Sequence, residues 1–336
     1  MLAVVLVGGF GTRLRPLTYE VPKPMLPVGR RPMIVGLVER LGRAGITDVV
    51  LALGFKPEPF AAAFADGRCG DIRVHYAVEP EPLDTGGAIA FAARQIGVDD
   101  TFVVLNGDII TELDTAALVH EHRSVGASAT LHLTPVEDPS AFGVAELDER
   151  GVIRRFVEKP APGESDSNLI NAGTYVFEPS VLDLVPDGAR CSVERDVFPR
   201  LVADGALAGL ATDDYWIDAG RPELYLQANL DLITGGRAES VDPIASGSSV
   251  DPTARLEGSL VDDDVVVAGD AVVVSSLLLP GARVGRGAEV RSSIVAGSIG
   301  DEAAVDHSVI GDTYVVPARS SVIDERLPRQ PSSHRP

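Results

Sequence analysis

The chain opens with the apolar run Leu2–Val7, the turn Gly8-Gly9-Phe10-Gly11-Thr12-Arg13-Leu14-Arg15-Pro16-Leu17, and then Pro22-Lys23-Pro24-Met25. An apolar strand thus runs straight into a turn with three glycines and fixed cations. The chemistry points at phosphate. Glycines let backbone N–H groups come close to a polyphosphate, and Arg13 and Lys23 neutralise what those amides cradle. Two common phosphate loops are excluded by spacing. A dinucleotide fingerprint needs G-x-G-x-x-G opening a helix, whereas here the spacing is G-G-x-G and prolines at 16, 22, 24 and 27 prevent a helix from following. A Walker loop would end in Gly-Lys-Ser/Thr, which is absent. The competing reading is a tight turn after an edge strand, with Arg13 and Lys23 as ordinary surface charges. The combined string Gly8, Gly9, Gly11, Thr12, Arg13, Pro16, Lys23, Pro24 is too specific for that.

Outward from this turn, residues 1–236 alternate strand and helix. Strands are expected at Asp48–Leu53, Asp71–Val78, Thr101–Leu105, Ala129–Pro135, Val144–Leu147, Val152–Val157 and Thr174–Phe177. Helices are expected at Pro32–Ala44, Thr85–Ile96, Thr115–Ser124, Val193–Asp204 and Pro222–Ile233. The βαβα order argues for an α/β fold with a Rossmann-like, mainly parallel sheet wound by helices. Near Gly235 the composition changes. Aliphatic residues then recur every six positions, at Leu260, Val266, Val272, Leu278, Val284 and Val290, with weaker pairs Val250/Leu256 and Ile299/Val305. Such a hexad marks a parallel β-helix, in which each turn stacks its aliphatic residue on the next. Three or four coils are expected over residues 244–323, with a frame slip near Ala296 and a disordered tail at 324–336.

The 336 residues carry a formal charge of −20, which argues against sequence-independent nucleic-acid binding, since that relies on Lys and Arg. An acidic chain that binds anions must focus its cations in one cleft, with Mg²⁺ offsetting the rest. No apolar stretch is long enough for a bilayer, and MLAVVLVGG lacks a basic leader and reads as a buried strand. Cys69 and Cys191 stand in no metal-type spacing and read as reduced thiols of a cytoplasmic protein. His120 and His122, two apart on a helix, do not share a face and are expected to be solvated, as is the run Asp262-Asp263-Asp264.

The string GGFGTRLRPLTYEVPKPMLPV resembles the signature of the sugar-1-phosphate nucleotidylyltransferases, in its mannose-1-phosphate guanylyltransferase branch. The resemblance extends along nearly the whole chain. It implies a nucleotidyltransferase domain over 1–236 followed by a short left-handed parallel β-helix. Asp108 ends Thr101-Phe102-Val103-Val104-Leu105-Asn106-Gly107-Asp108; a carboxylate at a strand's carboxyl end suits Mg²⁺, and an Asn-Gly-Asp turn suits plain turn geometry equally well. The resemblance implies the metal role, with Asp218 in YWIDAGRPELY as the second carboxylate. It also implies that Glu158, Lys159, Asn171 and Gly143 hold the sugar phosphate, and that Leu6, Gly8, Gly9, Gly11, Thr12, Arg13, Glu79, Thr85, Gly86 and Asn106 hold the nucleotide. In the base loop, Asp84 stands where the guanylyl branch has glycine. Glu79 or Glu81 would accept from the N1–H and exocyclic amine of guanine.

The expected reaction joins an NTP, GTP favoured, to a sugar-1-phosphate, mannose-1-phosphate or a similar sugar or pseudo-sugar phosphate, releasing pyrophosphate. Arg13, Lys23, Asp108 and Asp218 are the expected catalytic residues. Two alternatives stand beside it: another NTP with glucose-1-phosphate (dTTP, UTP, CTP or ATP), and a non-catalytic regulatory paralogue. Such paralogues tend to lose the charged signature, which is present here. The expected partners are these two small molecules and further copies of the chain, with no nucleic acid and no membrane.

Overall fold

The computed structural model describes residues 1–9, 11–54 and 57–329. They form two compact units, one of Met1–Gly9 with Ile34–Trp216, the other of Phe10–Met33 with Ile217–Pro336. The signature loop after Gly9 belongs with the C-terminal part of the chain.

The first unit is built on a ten-stranded sheet. Its strands are β1 (Leu2–Leu6), β2 (Asp48–Leu53), β3 (Arg68–Cys69), β4 (Ile72–Val78), β5 (Phe102–Asn106), β6 (Ala129–Pro135), β7 (Gly143–Leu147), β8 (Ile153–Glu158), β9 (Leu169–Phe177) and β10 (Leu207–Ala211). The order is β8-β7-β9-β5-β1-β2-β4-β3, with β6 paired to β9 and β10. Four central neighbours, β5, β1, β2 and β4, run parallel, and β9, β7 and β8 add antiparallel pairs. Of the parallel strands, β1, β2 and β5 are almost wholly apolar and buried, as a sheet covered on both faces requires, whereas β4 carries Arg73, His75 and Tyr76 and is only partly buried. The helices are α1 (Met33–Arg43), α2 (Glu58–Ala63), α3 (Asp84–Gln95), α4 (Thr115–Val125), α5 (Phe198–Ala203) and α6 (Pro222–Thr234). Asp114 caps α4 by accepting from the amides of Ala116 and Ala117, and Gly126 ends it at φ 68°. Two short elements, α2 and β10, carry too few periodic residues to be read from sequence. The expected helix over 193–204 begins as a π-type turn, Val193–Val197, before α5.

His122 departs from its expected solvation. It is buried and bonds Thr130 Oγ1 at 2.8 Å and Glu178 Oε1 at 2.9 Å. The absence of a shared face with His120 removes a metal pair, but it leaves each histidine free to point inward or outward separately.

The second unit contains α6 and three parallel five-stranded sheets of two- and three-residue strands, consistent with a left-handed parallel β-helix. There are five levels, not three or four. One column reads Leu256↔Val273↔Val290↔Val305↔Val322. Serine ladders give the step. Ser276, Ser293, Ser308 and Glu325 donate their amides to the hydroxyls of Ser259, Ser276, Ser293 and Ser308, at separations of 17, 17, 15 and 17 residues. A coil of 17 residues cannot hold a strict six-step frame. The early hexad positions Leu260, Val266 and Val272 therefore sit one residue before the core valines Val261, Val267 and Val273, and the frames coincide from Leu278 to Val290. The short coil accounts for the slip near Ala296. Asp262 is buried, not solvated, and burial raises its carboxyl above the usual range. Where a disordered tail was expected at 324–336, Arg326–Leu327 forms a last strand, and 330–336 lie outside the described residues.

Candidate active site

The sharpest convergence lies within the second unit. Pro16 and Pro22 interrupt any helix, so the signature loop runs through two single 3-10 turns, Thr12–Leu14 and Lys23–Met25. Gly11 sits at φ 55°, its carbonyl accepts from Thr18 Oγ1 at 2.7 Å, and a Cβ there would press on Thr18 and on Lys23 Cβ. Lys23 is therefore rooted in a packed turn and is only 7% exposed. Its ammonium meets Asp218 Oδ1 at 3.4 Å, and the same oxygen accepts from the amide of Gly220 at 2.9 Å. A Cβ on Gly220 would stand 2.7 Å from Asp218 Oδ1, 3.0 Å from Arg13 Nη2 and 3.0 Å from Lys23 Nζ. Arg13, Lys23 and Asp218 thus surround one point, although Lys23 and Asp218 are 195 residues apart. Two cations focused at one place are what an acidic chain needs to receive an anion.

In the first unit the glycine turn leaves the carboxyl end of β1, beside β2 and β5. Leu6 pairs with Asn106, and the amide of Gly107 donates to Leu6 O at 2.8 Å. Such strand ends are where open α/β sheets bind ligands. Glu79 follows β4, with its amide on Leu53 O at 2.9 Å. It is 8% exposed, and burial raises its carboxyl above the usual range, opposed by the Leu83 amide that donates to Oε2 at 2.9 Å. Its Oε1 faces Gly8, where a Cβ would lie 3.9 Å away. Glu81 is exposed, so the structure separates two residues that the sequence left equivalent.

Thr85 and Gly86 lie in the first turn of α3. Thr85 Oγ1 donates to Glu194 Oε2 at 2.7 Å and accepts from the amide of Val193 at 2.9 Å. Gly86 donates its amide to Cys191 O at 2.8 Å, and a Cβ on it would stand 3.1 Å from that oxygen. Both fasten α3 to the segment 191–194. Asp84, the departure from the branch's glycine, has φ 62°, a conformation that aspartate tolerates better than most side chains.

Two of the sugar-phosphate candidates, Asn171 and Glu158, act on buried Tyr175, one by a hydrogen bond and one by its charge. Asn171 Nδ2 donates to Tyr175 Oη at 3.0 Å, and its Oδ1 accepts from Gly173. Gly173 has φ 75°, and a Cβ there would lie 2.7 Å from Asn106 Nδ2, so its bareness seats Asn106. Glu158 pairs with Gly143 across β7 and β8, and Lys159 Nζ lies 3.6 Å from Glu158 Oε1 with its own side chain 64% exposed. Burial, then the charge of Glu194, raises Glu158 above the usual range, and Lys159 opposes this. The Tyr175 hydroxyl is raised by burial and by the charges of Glu194, Glu158 and Asp108. Glu194, which sequence reasoning missed, stands in no recognisable motif. Only the close contact of 191–194 with α3 brings it here.

Among the described residues, no three His, Cys, Asp or Glu side chains form a metal cluster. Mg²⁺ asks for less than such a cluster, one or two hard carboxylates with the remaining sites filled by phosphate and water, and Asp108 and Asp218 each carry a carboxylate of that kind.

Each unit carries a feature of proteins that handle nucleoside phosphates: the first a glycine turn at the end of a parallel strand with a buried carboxylate beside it, the second a two-cation cluster. Residues 2–235 match the Nucleotidyl transferase family, and the chain belongs to it. It is 42% identical over 290 residues to a mannose-1-phosphate guanylyltransferase of Mycobacterium tuberculosis, covering 86% of this chain and 76% of that one. A mannose-1-phosphate guanyltransferase of Schizosaccharomyces pombe is 40% identical over 267 residues, covering 76% and 73%. The crystal structure of HddC from Yersinia pseudotuberculosis complexed with GMP-PN superposes with a TM-score of 0.57 at 30% identity, covering 68% of this chain and 97% of that one. No helix among the described residues is long and apolar enough to cross a membrane.

Proposed function

We propose that the protein transfers a guanylyl group from GTP to mannose-1-phosphate or a closely similar sugar phosphate, releasing pyrophosphate. The observation that carries the transferase reading is the meeting of Arg13, Lys23 and Asp218 around Gly220. The guanylyl reading draws on the relatives' activity and on Glu79, a buried carboxylate able to accept from two guanine N–H groups.

A phosphate oxygen of the sugar attacks the α-phosphorus in line and pyrophosphate leaves. The nucleophile is already ionised, so no general base is required, and positioning and charge neutralisation supply most of the acceleration. Arg13 serves the β- and γ-phosphates and the departing pyrophosphate. Lys23, held by its packed turn, serves the α-phosphate and the entering phosphate. Asp108 and Asp218 are the carboxylates assigned to Mg²⁺, which when bound neutralises charge on the phosphate oxygens. Glu158 and Asn171 accept and donate to sugar hydroxyls, and exposed Lys159 offers a point charge to the sugar's phosphate.

Cytoplasmic residence is supported by the free thiols Cys69 and Cys191. A homo-oligomer is supported by Val315 and Ile323, apolar side chains 63% and 59% exposed on the outer strands of the β-helix.

The deciding experiment crosses GTP, ATP, UTP, CTP and dTTP against mannose- and glucose-1-phosphates with Mg²⁺ and measures pyrophosphate. GTP with mannose-1-phosphate is expected to give the highest kcat/KM, and Lys23→Ala or Asp108→Ala to abolish release. No release with any pair would favour the regulatory reading.

A further inference from the structure

The last coil of the β-helix ends on the signature loop, within the same compact unit. Arg326, in the strand Arg326–Leu327, donates from Nη1 to the carbonyl of Arg13 at 2.8 Å. Its Nη2 donates to Glu223 Oε1 at 3.3 Å, at the start of α6. Neighbouring contacts tie the same stretch of loop to the same coil. Tyr19 donates its hydroxyl to Arg329 O at 2.8 Å, and the Arg15 guanidinium lies over the Tyr19 ring at 5.5 Å. Gly311 leaves room for Pro16, since a Cβ there would stand 3.0 Å from Pro16 and 3.3 Å from Pro328.

One guanidinium therefore bridges two segments that each bring part of the phosphate cluster. One is the loop carrying Arg13. The other is the start of α6, which directly follows Asp218-Ala219-Gly220. An arginine fork is suited to this because its planar donors hold two acceptors at a fixed angle. The side chain of Arg13 is long, and its direction depends on how its own backbone is held. A catalytic cation misplaced by about 1 Å loses much of its effect.

We propose that Arg326 is a positioning residue for Arg13, fixing the loop against the start of α6 so that the guanidinium meets the phosphates at Gly220; this rests on the nucleotidyl-transfer reading above. The β-helix then contributes to phosphate binding indirectly, through its last coil. Arg326 touches no substrate itself. Its effect passes entirely through Arg13.

The test uses the full chain and Arg326→Ala, with Arg319→Ala as control, since Arg319 pairs with Glu302 elsewhere on the β-helix. Amide hydrogen exchange over residues 11–20, measured without nucleotide, is expected to quicken about fivefold or more in R326A and not in R319A, with the melting temperature unchanged in both. Calorimetric Kd for Mg·GTP is expected to weaken about tenfold in R326A, the loss of one charge-assisted contact. The KM for sugar phosphate is expected to stay as it was. In an R13A background the R326A substitution is expected to change Kd no further. Unchanged exchange in the loop, or the same tenfold loss in R13A, would overturn the inference. If the wild-type protein neither binds GTP nor releases pyrophosphate, the transferase reading fails, and the exchange rates still decide whether Arg326 holds the loop.

Discussion

Gly220→Ala isolates the cluster from the fold. Gly220 is buried and its φ is not in the left-handed region, so alanine meets no backbone strain. The added methyl would stand 2.7 Å from Asp218 Oδ1 and 3.0 Å from both Arg13 Nη2 and Lys23 Nζ. Ordinary contact needs about 3.5 Å, so each group must retreat by roughly half an ångström or more. All three contacts are ends of flexible side chains, and they can retreat without unfolding anything. Loss of a glycine also narrows the unfolded ensemble, which stabilises by about 0.4–1 kcal/mol at a compatible site. Stability should therefore hold or rise slightly. Catalysis should not, because misplacement on this scale costs about a hundredfold, or about 2.7 kcal/mol of transition-state stabilisation. Pyrophosphate release with Mg²⁺, GTP and mannose-1-phosphate gives kcat/KM, and thermal unfolding gives Tm. A variant within twofold of wild-type activity would refute the placement of the reacting phosphates at this point. A fall in activity that merely follows a fall in Tm would refute the claim that the cluster is separable from the fold.

Glu79→Gln keeps the shape but cannot accept from both guanine N–H groups without presenting its own amide, so kcat/KM with GTP should fall about tenfold or more relative to ATP. Because burial raises the Glu79 carboxyl, wild-type GTP affinity should weaken as pH falls through a value above the usual carboxylate range. The pH profile of E79Q should lack that limb, and an identical profile would remove Glu79 from base recognition. His132 is fully buried, with Nε2 on Thr212 Oγ1 at 2.9 Å, and burial depresses it to about 4 against the opposing charge of Asp214. The unfolded chain takes up its proton near pH 6.5 and the folded chain does not. Stability is thus full above pH 6.5 and declines below it, by about 2 kcal/mol between pH 6.5 and 5. Urea unfolding at pH 7 and pH 5 measures this, and His132→Gln should flatten the difference.

The sequence by itself determined what is local. Apolar runs and proline and glycine stops placed Asp48–Leu53 and Ala129–Pro135 to the residue, and α1, α3, α4 and α6 to within a residue or two. The glycines and cations of the opening string marked phosphate chemistry before any geometry was known, because those residue types have few other reasons to stand together. The repeat of small and aliphatic residues marked the β-helix. Its core frame and number of levels were hidden, because strands of two residues have no alternation and a coil of 17 drifts against a period of six. Tertiary structure alone decided which charges meet. Lys23 finds Asp218 across 195 residues, Arg326 reaches the Arg13 carbonyl across 313, and Glu194 comes to Thr85 across 109. Local periodicity reports which face of an element is buried. It holds no record of what that face is buried against, and that is set by strand order, coil stacking and the packing of a proline-stiffened loop.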